Sequence, residues 1–215
     1  RNNVIYDNAN AGIVLVTGGN HLIYNNLIYG NNGGILMFAA GHKIYNNTIV
    51  NNNKLGSNYG IIINSGNASS IEIKNNIIYG NGGIIQDDTG GNPILSNNLT
   101  TDPRFVNLST GDFHLQPGSP AIDAGVTLSD VPTDFDGVSR PQGAGFDIGA
   151  YEFTIEATLR GDLNGDGKRD LTDVRLLIYM LIGQIPKTPE ADLTGDGAVT
   201  LADVQALIKL LVGVP

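Results

Sequence analysis

Two stretches thirty residues apart hold the densest oxygen chemistry in the chain: DLNGDGKRDLTD from Asp162 to Asp173, and DLTGDGAVTLAD from Asp192 to Asp203. Twelve-residue loops that cage Ca²⁺ place oxygen donors at positions 1, 3 and 5, a backbone carbonyl at 7, a further donor at 9 and a carboxylate at 12. The first stretch offers Asp162, Asn164, Asp166, the Lys168 carbonyl, Asp170 and Asp173. The second offers Asp192, Thr194, Asp196, the Ala198 carbonyl, Thr200 and Asp203. Gly167 and Gly197 stand at position 6, where such a loop turns too sharply for a side chain. One copy alone could be an acidic turn; two in register predict two bound Ca²⁺ ions.

The elements that must position these loops follow them. Val174, Leu177, Ile178, Leu181 and Ile182 recur at helical spacing after the first loop, and Val204, Leu207, Ile208, Leu211 and Val212 repeat that spacing after the second. Neither loop has a clear helix in front of it. A duplicated half-EF-hand with Asp at position 12 resembles a dockerin, over about residues 161–213. The resemblance implies a secreted protein that plugs into a cohesin domain on a scaffold or cell surface, as proteins acting on plant polysaccharides do. It also implies that recognition uses positions 10 and 11 and residues about two turns along each helix. Many dockerins carry Ser-Thr at 10 and 11; here those positions are Leu171 and Thr172, then Leu201 and Ala202, with Ile178, Tyr179, Ile208 and Lys209 further on. This departure favours apolar contact, with Tyr179 and Met180 as anchors. The other candidate cover for that apolar face is the chain's own preceding domain.

The first hundred residues are a different object. NNVIYDN, NNLIYGN, NNTIVNN and NNIIYGN recur, then a degenerate NNLTTDP, with the second Asn at Asn3, Asn26, Asn47, Asn76 and Asn98. Ile5, Ile28, Ile49 and Ile78 keep step, as do Asn8, Asn31, Asn52 and Asn81. Short β-branched runs punctuated by Asn and Gly at a period near 22 residues predict a solenoid with one coil per repeat. Paired Asn with Ile and Tyr favours a right-handed parallel β-helix over a leucine-rich horseshoe, with Ile stacked inside and Asn columns bonded from coil to coil. The coil around Asn52–Gly60 is longer than its neighbours; it reads as a surface loop or as part of a binding face, with Lys54 and Tyr59 its large polar groups.

The expected organisation is mainly β: coils over 1–100, an irregular cap over 101–153 that closes the solenoid end, a linker at 154–160, and the small α-helical calcium module at 161–215. The chain opens in mid-pattern and reads as the C-terminal part of a longer precursor. It has 215 residues, net charge −9 and no cysteine, which argues against nucleic acid as a partner and against a disulfide framework. No apolar run is long enough to span a membrane.

Catalytic groups are sparse in the coils. Lys43 and Glu72 share a column and are expected to pair on the surface. Lys74 stands in the column of Tyr24, Tyr45 and Ser96; with Asp87 and Asp88 it forms the best local candidate for a lyase base beside a carboxylate-bound Ca²⁺, against the plainer reading of DDTGG as a turn. Two functional readings stay open. One is a polysaccharide lyase or glycoside hydrolase anchored by its dockerin, with catalytic residues largely upstream. The other is a non-catalytic β-helix that binds glycan or displays a surface. A calcium sensor is disfavoured by the missing helices before the loops.

Overall fold

A computed structural model describes residues 1–55, 58–64, 68–154, 160–165 and 168–212. The chain forms two compact units, Arg1–Thr154 and Ile155–Pro215, each described by itself.

The first unit is a right-handed parallel β-solenoid of about four turns. Each coil makes three short strands: β1 (Val4–Tyr6), β2 (Ala11–Leu15) and β3 (Leu22–Tyr24), then β4 (Leu27–Tyr29), β5 (Gly33–Met37) and β6 (Lys43–Tyr45). The next two coils give β7 (Thr48–Val50), β8 (Tyr59–Ile63) and β9 (Glu72–Lys74), followed by β10 (Ile77–Tyr79), β11 (Gly83–Asp87) and β12 (Ile94–Ser96). Strands stack into three parallel sheets, β1-β4-β7-β10, β2-β5-β8-β11 and β3-β6-β9-β12. In a three-residue strand the middle residue faces in and its neighbours face out. The middle positions are therefore the Ile columns: Ile5, Ile28, Ile49 and Ile78 lie in register, as do Ile23, Ile44 and Ile73. Ile28, Ile44, Ile49, Ile61, Ile63 and Ile73 are fully buried, each contributing roughly 1.5–3 kcal/mol by leaving water.

The paired asparagines divide their work. The first of each pair, Asn2, Asn25, Asn46, Asn75 and Asn97, takes positive φ between 49° and 56° at a coil corner, where a short polar side chain is the usual alternative to Gly. The second carries the ladder. Asn26 donates its backbone N–H (3.1 Å) and its Nδ2 (2.8 Å) to Asn47 Oδ1, and Asn47 does the same to Asn76 Oδ1 at 2.9 Å each. Asn8, Asn31, Asn52 and Asn81 form a second ladder of the same design. The residue before each of these, Asp7, Gly30, Asn51 and Gly80, also has positive φ.

Residues 101–154 lie along the flank of the solenoid and do not simply close its end. The corner asparagines point out and donate to this segment: Asn2 to the Phe135 carbonyl, Asn25 to Thr133, Asn46 to Asp147 and Gly149, Asn75 to Val126 and Asn97 to Ala124. Contacts thus run from the first coil to the last. The physical reason is the outward composition of two sheets. Leu27, Val50 and Ile77 pack under Phe105, Phe113 and Ile148, and Tyr24 and Tyr45 pack under Val131. A hairpin of β13 (Phe105–Asn107) and β14 (Asp112–Leu115) contributes to this cover. Meanwhile the core-column residue of the last coil, Leu95, is 53 % exposed. The flank is locked by Arg140, whose buried guanidinium donates to Glu152 Oε1 (2.5 Å) and to the Gly149 carbonyl (2.9 Å). Burial pushes the neighbouring Asp147 carboxyl up to about 6.

In the second unit, α1 (Leu171–Leu181) and α2 (Leu201–Val212) pack over Leu177, Met180, Leu193, Val204 and Leu207. The apolar stripe read from the sequence splits. Leu177 and Leu207 are fully buried, whereas Ile178, Ile182, Ile208 and Val212 are 41–66 % exposed.

Candidate functional site

The two loops fold alike where both are described. At position 1, Asp162 Oδ1 accepts the Gly165 N–H (2.8 Å) and Asp192 Oδ1 accepts the Gly195 N–H (2.7 Å). At position 12, Asp173 and Asp203 are fully buried. Asp173 accepts N–H groups from Leu163, Asn164 and Asp170; Asp203 accepts those of Thr194 and Thr200. Burial pushes the Asp203 carboxyl up, but these hydrogen bonds outweigh it and hold it below the usual carboxylate range. The Gly197 N–H, with Gly195 and Asp196, likewise holds Asp192 low. Gly197 has φ 87°, as a sharp turn at position 6 requires, and Gly165 and Gly195 at position 4 have φ 72° and 73°. The position-4 glycines are a feature the sequence reading passed over. Asp166 and Gly167 lie outside the described residues.

These donors fit a hard cation. The Thr194 hydroxyl lies 3.0 Å from Asp203 Oδ1 and 3.3 Å from Asp192 Oδ1, so oxygens from positions 1, 3 and 12 meet. Among the described residues no Lys or Arg forms an ion pair with Asp173 or Asp203, so these buried carboxylates lack a counter-charge that a dication would supply. In this conformation no three acidic or His side chains among the described residues converge as a finished cage. Asp196 accepts the Ala198 N–H, and both position-9 side chains cap a helix: Asp170 accepts from Thr172 N–H and Thr200 Oγ1 from Ala202 N–H.

Both helices leave apolar side chains exposed next to the loops they follow. Leu171 and Leu201 are 78 % and 65 % exposed, and Tyr179 is 37 % exposed. Thr172, Ala202 and Lys209 share these helices. Met180 departs from the expectation: it is 5 % exposed and packs in the core of the unit, because it falls on the same side of α1 as Leu177. It offers no anchor to a partner.

On the solenoid, the expected Lys43–Glu72 pair does not form, although the two residues are in register. Glu72 instead accepts from Lys74 Nζ (2.5 Å) and Tyr45 OH (2.6 Å), while Lys43 reaches Asp130 on the flank segment (2.9 Å). The Lys74 and Tyr45 hydrogen bonds hold the Glu72 carboxyl low, and burial together with Glu72 raises Tyr45. Lys74, Asp87 and Asp88 share no hydrogen bond or ion pair. Asp87 accepts the Thr89 N–H and hydroxyl, and Asp88 accepts from Gln86 Nε2, as turn residues do. Lys54 pairs with Asp7 at 3.7 Å.

The sheet β2-β5-β8-β11 carries a feature absent from the sequence reading. A trough of about 300 Å³ crosses its outer face. Small residues Ala11 and Gly33 form its floor, Val14, Leu36 and Ile62 one wall, and Asn10, Asn32 and Asn58 the other. Asn58 comes from the long coil and donates to Asn32 Oδ1 at 2.8 Å. The signal was a column, Ala11 over Gly33, visible only once the register was known.

Comparison with protein families matches residues 1–100 to the right-handed β-helix region family and residues 160–212 to the type I dockerin domain. No curated protein and no solved structure matches the chain. The chain therefore joins a right-handed β-helix to a type I dockerin, a module that binds calcium and docks to a cohesin. No helix among the described residues is long and apolar enough to cross a membrane.

Proposed function

We propose that this dockerin-bearing β-helix protein is an anchored glycan-holding element of an extracellular multiprotein assembly, and that residues 1–154 hold polysaccharide without cleaving it. One observation carries the reading. The coils' lysines and carboxylates are taken up by neighbours, as Lys43–Asp130, Lys54–Asp7, Lys74–Glu72 and the two turn aspartates, while the sheet outside the flank contacts bears an uncharged trough. General acid–base chemistry needs a positioned group with a proton to give or an open lone pair, and a Lys already bonded to a carboxylate is a poor base.

In the dockerin, each of the two loops holds one Ca²⁺. Asp162, Asn164, Asp166 and Asp173 serve the first, and Asp192, Thr194, Asp196 and Asp203 the second, with carbonyls of Lys168 and Ala198. Bound calcium supplies the counter-charge that lets these carboxylates gather, and so couples metal to folding of a unit with a small core. The cohesin contact uses Leu171, Thr172, Ile178 and Tyr179 on the first copy and Leu201, Ala202, Ile208 and Lys209 on the second. This face is apolar, so it suits a hydrophobic cohesin surface better than one that reads Ser-Thr.

The test incubates the full chain with pectin, alginate, xylan, glucan and mannan, and follows retention and product release together. Retention of at least one glycan without new reducing or unsaturated ends is expected. Sustained product release that Lys74→Ala abolishes would overturn the non-catalytic reading in favour of the lyase one.

A further inference from the structure

We infer that the trough on the β2-β5-β8-β11 sheet takes an uncharged pyranose chain laid along the solenoid axis, one sugar per coil, and discriminates against uronate polymers. This rests on the glycan-holding reading above and names its substrate class.

The lining contains no ionisable side chain. Its wall is an apolar row, Val14, Leu36 and Ile62, with one residue from each successive coil in register. Val14 is 44 % exposed, so part of this row meets water. A sugar ring has an apolar C–H face and an equatorial rim of hydroxyls. The row and the small floor accept the face, and the opposite wall of Asn10, Asn32 and Asn58 meets the rim. Carboxamides both donate and accept, so they bond hydroxyls in either sense without a charge. Asn32 spends its oxygen on the Leu55 N–H and on Asn58 Nδ2, which orients its own Nδ2 for a further bond. The ladder repeats every ~4.8 Å along the axis, close to the advance of one sugar in an extended polymer, so successive rings meet equivalent groups.

The depth of the trough comes from two small residues, Ala11 and Gly33. Gly33 is not at positive φ, and a Cβ built there would meet Ala11 Cβ at 3.7 Å and Asn58 Cβ at 3.9 Å, ordinary contacts. The backbone therefore does not demand glycine at this position, and a larger side chain would occupy the space that a ring would use. Beyond the trough, the Tyr59 ring lies against Gly83, where a Cβ would come within 2.3 Å of it. That placement extends the surface by an aromatic plate one coil further on.

Discrimination follows from charge. A uronate laid here would lose water from its carboxylate with no cation among the lining residues to replace it.

The experiment titrates the full, calcium-loaded chain with neutral hexasaccharides of the xylan, glucan and mannan types and with hexagalacturonate and hexamannuronate, by calorimetry. At least one neutral oligosaccharide should bind, and the acidic ones at least tenfold more weakly. Gly33→Val should lower the neutral affinity at least tenfold with circular dichroism and melting unchanged; Leu36→Asn, outward-facing, is the second variant should Gly33→Val disturb the fold. Lys54→Ala, in the adjoining loop, should leave neutral binding unchanged. Acidic oligosaccharides binding as tightly as neutral ones, with the same sensitivity to Gly33→Val, would overturn the substrate class and keep the glycan reading. Binding of none, or binding indifferent to both trough variants, would overturn the glycan reading itself.

Discussion

Replacing Asn47 with Ala should unfold the solenoid more readily than any comparable change at its last coil. Asn47 is fully buried. Its Oδ1 accepts the Asn26 N–H and Nδ2, and its Nδ2 donates to the Ile23 and Tyr45 carbonyls and to Asn76 Oδ1. After truncation Asn26 Nδ2 keeps the Tyr24 carbonyl, and Asn76 Oδ1 keeps the Asn47 N–H. The Asn26 N–H loses its side-chain acceptor, and the Ile23 and Tyr45 carbonyls each lose a donor, in a space closed to water. One buried orphan costs about 1–3 kcal/mol, so the N–H with two under-satisfied carbonyls gives about 2–4 kcal/mol, or roughly 6–12 °C in Tm for a domain of this size. Asn98→Ala removes the equivalent group where the ladder is only half-buried and water can substitute, and should cost less than half as much. Tyrosine fluorescence reports the solenoid cleanly, since every tyrosine except Tyr179 lies within residues 1–154. An Asn47→Ala chain within about 1 kcal/mol of the parent, or no worse than Asn98→Ala, would refute the ladder as a source of stability.

Glu152→Ala should destabilise the first unit by about 3–5 kcal/mol by leaving the buried Arg140 unpaired, and Arg140→Met in the same chain should recover part of that loss; denaturant midpoints of the two variants decide it. His42 is fully buried, stacked on His21 at 5.2 Å, and its Nε2 has no partner among the described residues. Burial first, then His21, holds its pKa below the ordinary value. A histidine lowered on folding stabilises above its unfolded pKa, near ~6.5, and that stability is lost as pH falls through the folded value. Asp147 has the opposite sign: its pKa is raised to about 6, so its contribution is present at low pH and lost as pH rises through that value. His42→Ile, matching Ile71 in the same column of the next coil, should therefore flatten the acid-side loss while leaving the Asp147 limb intact. Melting curves across that range check it, and an unchanged acid limb would contradict the assignment.

Repetition made much of the solenoid legible. The Ile and Asn columns could be aligned because identical residues recur at each coil, and the structure pairs them in that register. The division of labour within each Asn pair was not legible, because adjacent identical residues give no hint of which one turns the corner. Residues 101–154 have no period, and their placement depends on carbonyls, which carry no residue identity. The Lys43–Glu72 expectation failed because register alone ignores competitors: Lys74 and Tyr45 reach Glu72, and Asp130 comes from 87 residues away to take Lys43. In the dockerin, loop spacing exposed most candidate ligands directly. Helical period could not separate Met180, turned inward, from Tyr179 beside it. The trough was hidden because a groove is made by what Ala11 and Gly33 lack, and by Asn58 from a coil of different length.

The most direct measurement of the anchored glycan-holding account is binding of the full chain to immobilised type I cohesins, with calcium and then with chelator. Saturable binding is expected that chelator abolishes, that is weakened at least tenfold by Ile178→Asp with Ile208→Asp, and that loses no solenoid signal in tyrosine fluorescence when calcium is withdrawn. Capture that persists in chelator, or that ignores both substitutions on the exposed helix faces, would contradict it.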